Sequence, residues 1–314
     1  MLDDLGEEKA LDALITVLGS SFGGGLLDSL DDAVALNLRG ITLVKVDGTS
    51  EKASRYPWMG LDDLAYRTSA SAALDIIAKG GRPKYMLVSI GVPRERTVKD
   101  IQLIGVGLRD FAERYGLKVL GGDLNASDDP LGVWIDVTML GEAKGLIGIR
   151  GARAGDEVYV TSCLGRSAIP AIIHYLSPRS KDIPVEIKEI LRRPEIPLGF
   201  LKYVNEVKVA TDVSDGLRSI RRFLRMNSLS LALTENPPIC EDIIELIEEL
   251  GVNTYDVLRF LGEEYTILYV CREGASCGDG LLLGSLVDRD VGKVFLNERE
   301  VPGGWDNFKG FLTT

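Results

Sequence analysis

The chain has 314 residues, 45% of them hydrophobic, which is typical of a globular protein long enough for two domains of about 150 residues each. Its formal net charge of −11 argues against binding to nucleic acid, because the phosphates would be repelled. No segment stays apolar over 18 residues and the stretch MLDDLGEEKALD is acidic, which argues against a membrane span and a secretory signal.

The pattern of apolar residues in the first half of the chain predicts three helices and five strands. We expect helices at 7–18, 61–79 and 98–115, and strands at 33–38, 41–46, 85–92, 117–120 and 133–143. The glycines in SSFGGGLLDS indicate a hinge, because no helix and lysine follow them as in a nucleotide-binding motif. Paired strands with interspersed helices indicate the α+β class rather than a doubly wound sheet.

The turn-rich stretch RGARAGD at 150–156 predicts a domain boundary, with domains at 1–149 and 150–314. Beyond it we expect strands at 157–162, 207–211, 229–234 and 265–270 and helices at 216–226 and 240–250. The segment 177–198 contains four prolines and is interpreted as a connecting loop. Four arginines at helical spacing are interpreted as a solvated helix face rather than a nucleic-acid reader: Arg218, Arg221, Arg222 and Arg225.

The four cysteines, Cys163, Cys240, Cys271 and Cys277, form no CxxC pair, and with one histidine they predict no zinc site. Their small number indicates a reducing cytosol without a disulfide framework, so we expect a cytoplasmic protein. The histidine, His174, is interpreted as a helix residue with no catalytic part.

Carboxylates recur at the ends of the predicted strands, where a sheet edge opens onto a cleft. The set comprises Asp31 and Asp32 before 33–38, Asp47 after 41–46, Asp123 after 117–120, and Asp212 and Asp215 after 207–211. The preference of aspartate for turns would explain any one of these carboxylates taken alone, and Ser214 or Asp215 would also cap the following helix. Asp75 differs, because an acid on an alanine-rich, buried helix needs a partner.

Convergence of these acids would raise their pKa values by mutual repulsion, which a hard divalent cation would relieve. The chain has no GxxxxGK[ST] segment, so magnesium rather than a P-loop would hold a nucleotide's phosphates. The sequence therefore predicts a magnesium-dependent phosphoryl-transfer site.

Eight segments, spread over nearly the whole chain, carry a resemblance to a known family. They are Asp31-Asp32-Ala33, Asp47, ALDIIAKGGRP around Asp75, Gly121-Gly122-Asp123, RGARAGDEVYVT from Arg150, TDVSDGL around Asp212, GEEY from Gly262 and GWDNF from Gly304. On these segments the chain resembles the thiamine-monophosphate kinases. That family belongs to a superfamily with aminoimidazole-ribonucleotide synthase, selenophosphate synthetase and the hydrogenase-maturation carbamoyl dehydratase.

The resemblance implies two α+β domains, a homodimer formed through the N-terminal sheet, and transfer of a phosphoryl group from ATP to thiamine monophosphate. The implied magnesium ligands are Asp31, Asp32, Asp47, Asp75, Asp123, Asp212 and Asp215. The implied ATP-binding residues are Gly121, Gly122, Asp123, Arg150 and Ser214. Asp47, Asp123 and Arg150 are the implied catalytic residues, and Arg150 would neutralise charge on the transferring group. Glu263 and Trp305 are implied to contact the acceptor.

The departures from the family cluster on the acceptor side. VDGTSEKASRYPWM replaces a family segment near TDMLVEGVHF, so that Ser54 falls opposite the histidine that meets the acceptor. Two alternatives therefore stay open: an ATP-dependent enzyme of the superfamily with another acceptor, and a nucleotide-binding protein without catalysis. A phosphate acceptor needs no general base, whereas a neutral alcohol would need one, with Glu51 and Glu264 as candidates. Tyr56, Trp58 and Met59 are candidates to line such a pocket.

Overall fold

The computed structural model describes residues 2–24, 36–38, 40–127, 132–176, 182–306 and 310–311. The chain divides into two compact units. Unit 1 comprises Met1–Ile76, Gly81–Lys144 and Arg192–Glu195, and unit 2 comprises Ile77–Gly80, Gly145–Leu191 and Ile196–Thr314. The division at 149 and 150 stays a prediction, while the mixture of sheets and helices confirms the predicted α+β class.

The first half of the chain forms one four-stranded sheet with helices. Its elements are α1 (Leu2–Leu18), β1 (Ile41–Ser50), α2 (Glu51–Ser54), α3 (Leu61–Ala78), β2 (Gly81–Pro93), α4 (Val98–Tyr115), β3 (Lys118–Ser127) and β4 (Trp134–Ala143). The strand order is β1-β4-β2-β3; β4 is antiparallel to both neighbours and β2 is parallel to β3. Of the predicted strand 33–38, residues 36–38 are not in a strand and 33–35 lie outside the described residues.

Helix α4 shows how local sequence determines these boundaries. Thr97 and Asp100 form a capping box at its first turn, and Gly116 ends it in the left-handed conformation with φ 69°. The apolar residues Ile104, Leu108 and Phe111, spaced by three or four, are all buried and pack into the core.

One face of the unit 1 sheet is exposed, and we call it the outer sheet face. Along β4, Ile135, Val137 and Met139 are fully buried, whereas the alternate residues project to the other side. The exposed apolar side chains there include Val44 and Val46 on β1, at 63% and 58% exposure, and Trp134 on β4 at 37%. Val46 pairs with Thr138 and Trp134 with Ser50, and the Trp134 ring extends over Gly48 in the row between them, 3.0 Å from where a Cβ atom of Gly48 would lie.

Unit 2 contains a seven-stranded sheet. Its strands are β5 (Glu157–Val160), β6 (Val207–Val213), β7 (Ser230–Leu233), β8 (Glu264–Cys271), β9 (Leu281–Val287), β10 (Val294–Leu296) and β11 (Arg299–Glu300), in the order β11-β10-β7-β9-β5-β8-β6. A separate two-stranded sheet pairs β12 (Trp305–Asp306) with β13 (Gly310–Phe311). The helices are α5 (Ala168–Leu176), which carries His174 as predicted, α6 (Val185–Arg192), α7 (Leu217–Asn227), α8 (Ile244–Glu249) and α9 (Thr254–Arg259).

The prediction that 177–198 is only a loop is wrong, because α6 forms within it. Two of its prolines lie just outside the helix instead of interrupting it. Pro184 directly precedes the first residue, where a missing N–H has no cost, and Pro194 lies two residues beyond the last. Ile187 and Leu191, four residues apart, bury one face of the helix.

The prediction that the cysteines form no disulfide framework is also wrong. Cys163 pairs with Cys240, 77 residues apart, and Cys271 pairs with Cys277. Tertiary structure brings the first pair together, since the N–H of Leu164 donates to the carbonyl of Pro238 and that of Cys240 to the carbonyl of Leu164. Disulfides are typical of oxidising compartments and of intracellular proteins of hyperthermophiles, so the cysteines do not indicate a reducing cytosol.

None of the described helices combines the length and hydropathy needed to cross a bilayer.

Candidate functional site

The candidate site in unit 2 begins at the turn between β6 and α7. Gly216 has φ 58° and ψ −132°, a conformation that side-chain-bearing residues avoid, and an added Cβ atom would lie 2.1 Å from the carbonyl oxygen of Leu261. Glycine at this position therefore lets the turn approach the backbone that leads to Glu263. The N-cap position of α7 is Gly216, and among the described residues no side chain caps it, so capping does not explain Ser214 and Asp215.

Asp212 is held in a fixed orientation by the residue two positions later. Its side chain is buried, and its Oδ2 accepts hydrogen bonds from the backbone N–H of Ser214 at 3.1 Å and from the Ser214 hydroxyl. Arg222 of α7 places Nη2 3.6 Å from Oδ1 of the same carboxylate. Ser214 therefore orients Asp212 and does not cap the helix.

Asp215 lies among charged groups of both signs. Burial raises the pKa of its carboxyl, the neighbouring carboxylates of Asp212 and Glu263 raise it further, and the guanidinium groups of Arg218 and Arg222 lower it in part. A carboxylate that is both buried and close to other carboxylates is the arrangement that a divalent cation stabilises.

The segment around Trp305 closes onto this turn. The backbone N–H of Trp305 donates to the carbonyl of Asp215 at 3.1 Å, and Nη1 of Arg218 contacts the carbonyl of Trp305 at 3.5 Å. Unit 2 thus brings together five residues that the sequence analysis selected: Asp212, Ser214, Asp215, Glu263 and Trp305.

An aromatic cluster that the sequence analysis did not identify extends from Trp305. The rings of Trp305 and Phe311 lie 5.2 Å apart edge to face, Phe311 contacts Phe260 at 5.6 Å, and Phe260 stacks on Tyr175 at 5.9 Å. These rings come from three distant segments, so no spacing in the sequence connects them. Phe260 is fully buried and supports the cluster from below, so the face available beside the carboxylates is that of Trp305, which is suited to a flat organic group.

Glu264 is engaged in bonds that stabilise the loop before β8. Its Oε1 accepts from the N–H of Gly165 at 2.9 Å and from the hydroxyl of Ser167 at 2.6 Å, and Ser167 in turn accepts from the N–H of Gly262. Burial raises the pKa of Glu264, and these hydrogen bonds lower it in part. The geometry makes Glu264 a structural anchor rather than a general base.

In unit 1, Asp47 and Asp75 lie on one side of the sheet. Nζ of Lys45 lies 2.7 Å from Oδ2 of Asp75, whose side chain is 22% exposed, so this helix carboxylate is half-buried and has a charged partner. Asp47 is two residues from Lys45 on β1, so both side chains project from the same face. Contrary to the prediction, Asp47 does not follow its strand but lies within it.

Asp123 also lies inside a strand, because β3 continues through Gly121 and Gly122. An added Cβ atom at Gly122 would lie 1.9 Å from the carbonyl oxygen of Val88, so glycine is needed for this close approach to β2. Asp123 pairs with Ser89, and Asp136 of β4 pairs with both Ser89 and Gly48. Asp123 therefore shares a face with position 48, which is one residue beyond Asp47 on β1. Backbone pairing therefore puts Asp123 and Asp47 on opposite faces.

A cavity of about 160 Å³ adjoins this strand. It is lined by Gly121, Gly122, Asp123 and Leu124 together with apolar side chains of α1 and β2. The predicted nucleotide residues of unit 1 thus share one concave surface.

The acceptor-side stretch of unit 1 is packed tightly. Ser54 ends α2, where its carbonyl accepts from Nη1 of Arg67 at 2.9 Å, and the rings of Tyr56 and Trp58 stack at 4.7 Å. The buried Glu51 pairs with Arg55 at 3.1 Å and with Arg96 at 2.6 Å. Glu51, the other candidate base, is therefore also held by protein donors.

Arg150 lies away from the turn that carries Ser214. Its Nη1 donates to the carbonyl of Met226 at 2.7 Å, near the C-terminal end of α7, where a cation is favoured by the helix dipole. Ser214 precedes the other end of that eleven-residue helix, about 15 Å away.

The predicted magnesium set stays a prediction. Asp31 and Asp32 lie outside the described residues, and the other five aspartates divide between the units. Within the parts of the chain that the structure describes, no group of three or more His, Cys, Asp or Glu side chains is arranged to hold a metal ion.

Comparison with known proteins agrees with the resemblance. Residues 30–143 match the family model of the AIR synthase related protein, N-terminal domain. A thiamine-monophosphate kinase of Aquifex aeolicus (strain VF5) is 30% identical over 200 residues, 62% of this chain and 64% of the relative. One of Bacillus subtilis (strain 168) is 31% identical over 215 residues, 66% of this chain and 64% of the relative. The matched region thus covers just under two thirds of each relative.

The fold matches over a longer stretch. The structure of AaThiL complexed with AMPPCP and TMP aligns with 98% of this chain and 99% of its own, with a TM-score of 0.75 and 21% identity. This match confirms the predicted fold. The chain therefore resembles the thiamine-monophosphate kinases, and its residues 30–143 match the AIR synthase related family.

Proposed function

We propose that the chain transfers the γ-phosphoryl group of ATP to the phosphate of thiamine monophosphate, giving thiamine diphosphate and ADP. The observation that carries this proposal is the assembly in unit 2 of Asp212, Asp215, Glu263 and Trp305, four residues from three separate motifs. The curated relatives named thiamine-monophosphate kinase and the AaThiL complex with AMPPCP and TMP support the choice of substrates.

The acceptor side combines carboxylates with aromatic rings. Thiamine carries a flat cationic ring, which stacks favourably on an indole and is attracted to a carboxylate. Trp305, backed by Phe311, supplies the aromatic face, and Glu263 supplies the negative charge beside it. These two residues hold the organic part of the acceptor.

The reaction needs alignment more than proton transfer. An oxygen of the acceptor phosphate forms a bond to the γ-phosphorus while the bond from that phosphorus to the β–γ bridging oxygen breaks, and ADP carries away the electron pair. Because the attacking oxygen is already anionic, no general base is required. The structural roles of Glu51 and Glu264 agree with this chemistry.

The donor set in unit 2 fits magnesium. The side-chain oxygens of Asp212, Ser214 and Asp215 are hard ligands of the type that Mg²⁺ takes, and Ser214 already orients Asp212. Asp212 and Asp215 would hold the ion, whereas Asp47, Asp75 and Asp123 are assigned to magnesium through the resemblance alone, since Asp47 and Asp123 project from opposite faces of the unit 1 sheet. When bound, magnesium neutralises charge on the transferring phosphates.

ATP is assigned to Gly121, Gly122, Asp123, Arg150 and Ser214 through the resemblance. In support, the glycine pair and Asp123 line the unit 1 cavity, and its apolar wall from α1 suits a flat base. Arg150 donates to the carbonyl of Met226, and its assignment to ATP rests on the resemblance alone.

A second copy of the chain is the proposed occupant of the outer sheet face. Val44, Val46 and Trp134 are exposed on this face together with Asp136, which accepts from the Trp134 indole, and the resemblance implies pairing through this sheet. The proposed location is the cytoplasm. The two disulfides are compatible with it because intracellular proteins of hyperthermophiles also contain disulfides.

The test is a coupled assay with magnesium, ATP and thiamine monophosphate. We expect diphosphate formation by the wild-type protein and a loss of at least about 100-fold in kcat/KM for Asp215→Asn, because the charge of an assigned metal ligand is removed. Asp288→Asn, an exposed residue outside the site, is the matched control and should retain activity. Absence of diphosphate with the folded wild-type protein would reject the proposal.

The departures around Ser54 favour one rival, a kinase of the superfamily with another phosphorylated acceptor. The Tyr56–Trp58 stack near Arg67 occupies the stretch where the family places its acceptor histidine. ATP consumption with a different phosphate ester, but not with thiamine monophosphate, would establish this rival.

A further inference from the structure

The predicted solvated face of α7 is confirmed for Arg222 and Arg225, which are exposed, but not for Arg221. Arg221 is half-buried and donates to the carbonyl of Val301 at 2.6 Å, whereas Arg225 is exposed on the last turn. Arg218 and Arg222, four residues apart on one side of the helix, instead turn toward the carboxylates of the candidate site.

These two guanidinium groups are held loosely. Arg222 reaches Asp212 at 3.6 Å and Arg218 reaches Asp306 at 3.3 Å, both longer than the ~2.8 Å of a charge-assisted hydrogen bond. The side chain of Arg222 is 58% exposed although its partner carboxylate is only 6% exposed. The guanidinium therefore stands between solvent and the buried acid, where an incoming ligand meets it first.

We propose that Arg222, assisted by Arg218, binds the phosphate group of the acceptor. This inference rests on the proposed function and deepens it, because it identifies what recognises the phosphate rather than the organic ring. A guanidinium fork suits a phosphate, with two parallel N–H donors for two oxygens.

The position of the pair favours the acceptor over the nucleotide. Arg218 contacts both the carbonyl of Trp305 and the carboxylate of Asp306, so it lies beside the indole that is assigned to the thiamine ring. Both arginines also act on the charge of Asp215, next to Glu263. A ligand whose ring lies on Trp305 would extend its phosphate toward this pair.

The two arginines supply the positive charge that an anionic acceptor needs and that the carboxylates of the site cannot provide. The acids Asp212, Asp215 and Glu263 would repel an anionic acceptor. A cation bound by the acids removes part of that repulsion and weakens the hold of Asp212 on Arg222, which then becomes available to the phosphate. A chain with net charge −11 needs such a local positive group.

The experiment compares Arg222→Ala, Arg222→Lys and Arg225→Ala, the last being an exposed arginine of the same helix outside the site. We expect Arg222→Ala to raise KM for thiamine monophosphate roughly 10- to 100-fold, as loss of a charge-assisted contact does. KM for ATP should stay within about twofold, because Arg222 would not contact ATP. The value of kcat should stay within about threefold, because the contact to the acceptor is equally strong in the ground state and in the transition state. Arg222→Lys should recover part of the loss, and Arg225→Ala should behave as wild type.

Calorimetric titration with thiamine monophosphate, thiamine and inorganic phosphate separates this inference from the proposed function. Arg222→Ala should weaken binding of thiamine monophosphate and phosphate but leave thiamine unchanged. Equal affinity of wild type and Arg222→Ala for thiamine monophosphate would overturn the inference, as would a wild-type protein that binds neither phosphate compound. Binding that depends on Arg222 without diphosphate formation would reject the proposed function and keep the inference.

Discussion

Glu264 illustrates how one buried side chain acts on the candidate site without touching a substrate. It bonds to Gly165 and Ser167, and Ser167 bonds to Gly262, so that the loop carrying Glu263 is fixed to the segment before α5. Burial raises the pKa of Glu264, because desolvation disfavours the charged form. The folded protein therefore keeps a proton on this group at pH values where the unfolded chain has released it.

This shift predicts a specific pH dependence of stability. The contribution of Glu264 is fully present below the ordinary glutamate pKa of about 4.3 and is lost as pH rises through the raised value of the folded state. We expect Glu264→Gln, which cannot ionise, to flatten that decline. The measurement is the free energy of unfolding by urea from pH 4 to pH 8.

Glu245→Gln, on the exposed side of α8, is the control and should keep the wild-type profile. A profile of Glu264→Gln that parallels the wild type throughout would show that this carboxyl keeps its ordinary pKa in the folded protein.

Individual site residues differed in how far the sequence revealed them. Ser214, Glu263 and Trp305 were found because each lies in a segment that matches a family motif, and the structure brings them together. The exposure of Arg222 was predicted but its approach to Asp212 was not, because helical spacing shows which arginines share a face but not which residues that face contacts. Glu264 was considered as a base, since the sequence carries no information about its bonds to Gly165 and Ser167.

Among the elements, those with strong periodicity and caps were predicted well and those shaped by tertiary contacts were not. Helix α4 has a capping box and a buried stripe, and its observed bounds coincide with the predicted ones. Strand β3 was cut short at Gly121-Gly122, although pairing with β2 carries it on to Ser127. Helix α6 was missed because its prolines fall just outside its ends.

The two disulfides close loops of very different length, so their contributions to the free energy of unfolding should differ. A cross-link stabilises chiefly by restricting the unfolded chain, so removing Cys163–Cys240, with 77 residues of separation, should cost about 4 kcal/mol, and removing Cys271–Cys277, with 6, about 2 kcal/mol. The measurement is urea unfolding of the two double alanine variants without reductant. Each variant serves as the control for the other.

The first disulfide also lies next to the loop that Glu264 anchors, since Cys163 precedes Gly165 by two residues. Its removal should therefore also raise KM for the acceptor, which removal of the second should not. Equal losses of stability in the two variants would show that restriction of the unfolded chain does not explain the effect.

At the scale of the whole molecule, the outer sheet face is the feature that a single copy does not explain. A monomer rarely exposes several large apolar side chains on one face, and Val44, Val46 and Trp134 all project from the same face of two paired strands. The alternating strand β4 buries its other face completely, so the apolar residues on this face are not needed for the core of unit 1. Pairing with a second copy would give them a function.

Val46→Asp tests this pairing. Losing a buried valine and burying an unpaired charge should together weaken a dimer by at least about 4 kcal/mol, roughly a thousandfold in Kd. Sedimentation velocity should show a dimer for the wild type and a monomer for Val46→Asp at the same concentration. Val185→Asp, on α6 and 65% exposed, introduces the same charge away from the sheet and should remain dimeric. A wild-type protein that sediments as a monomer, or a Val46→Asp variant that stays dimeric, would mean that this face does not join two copies.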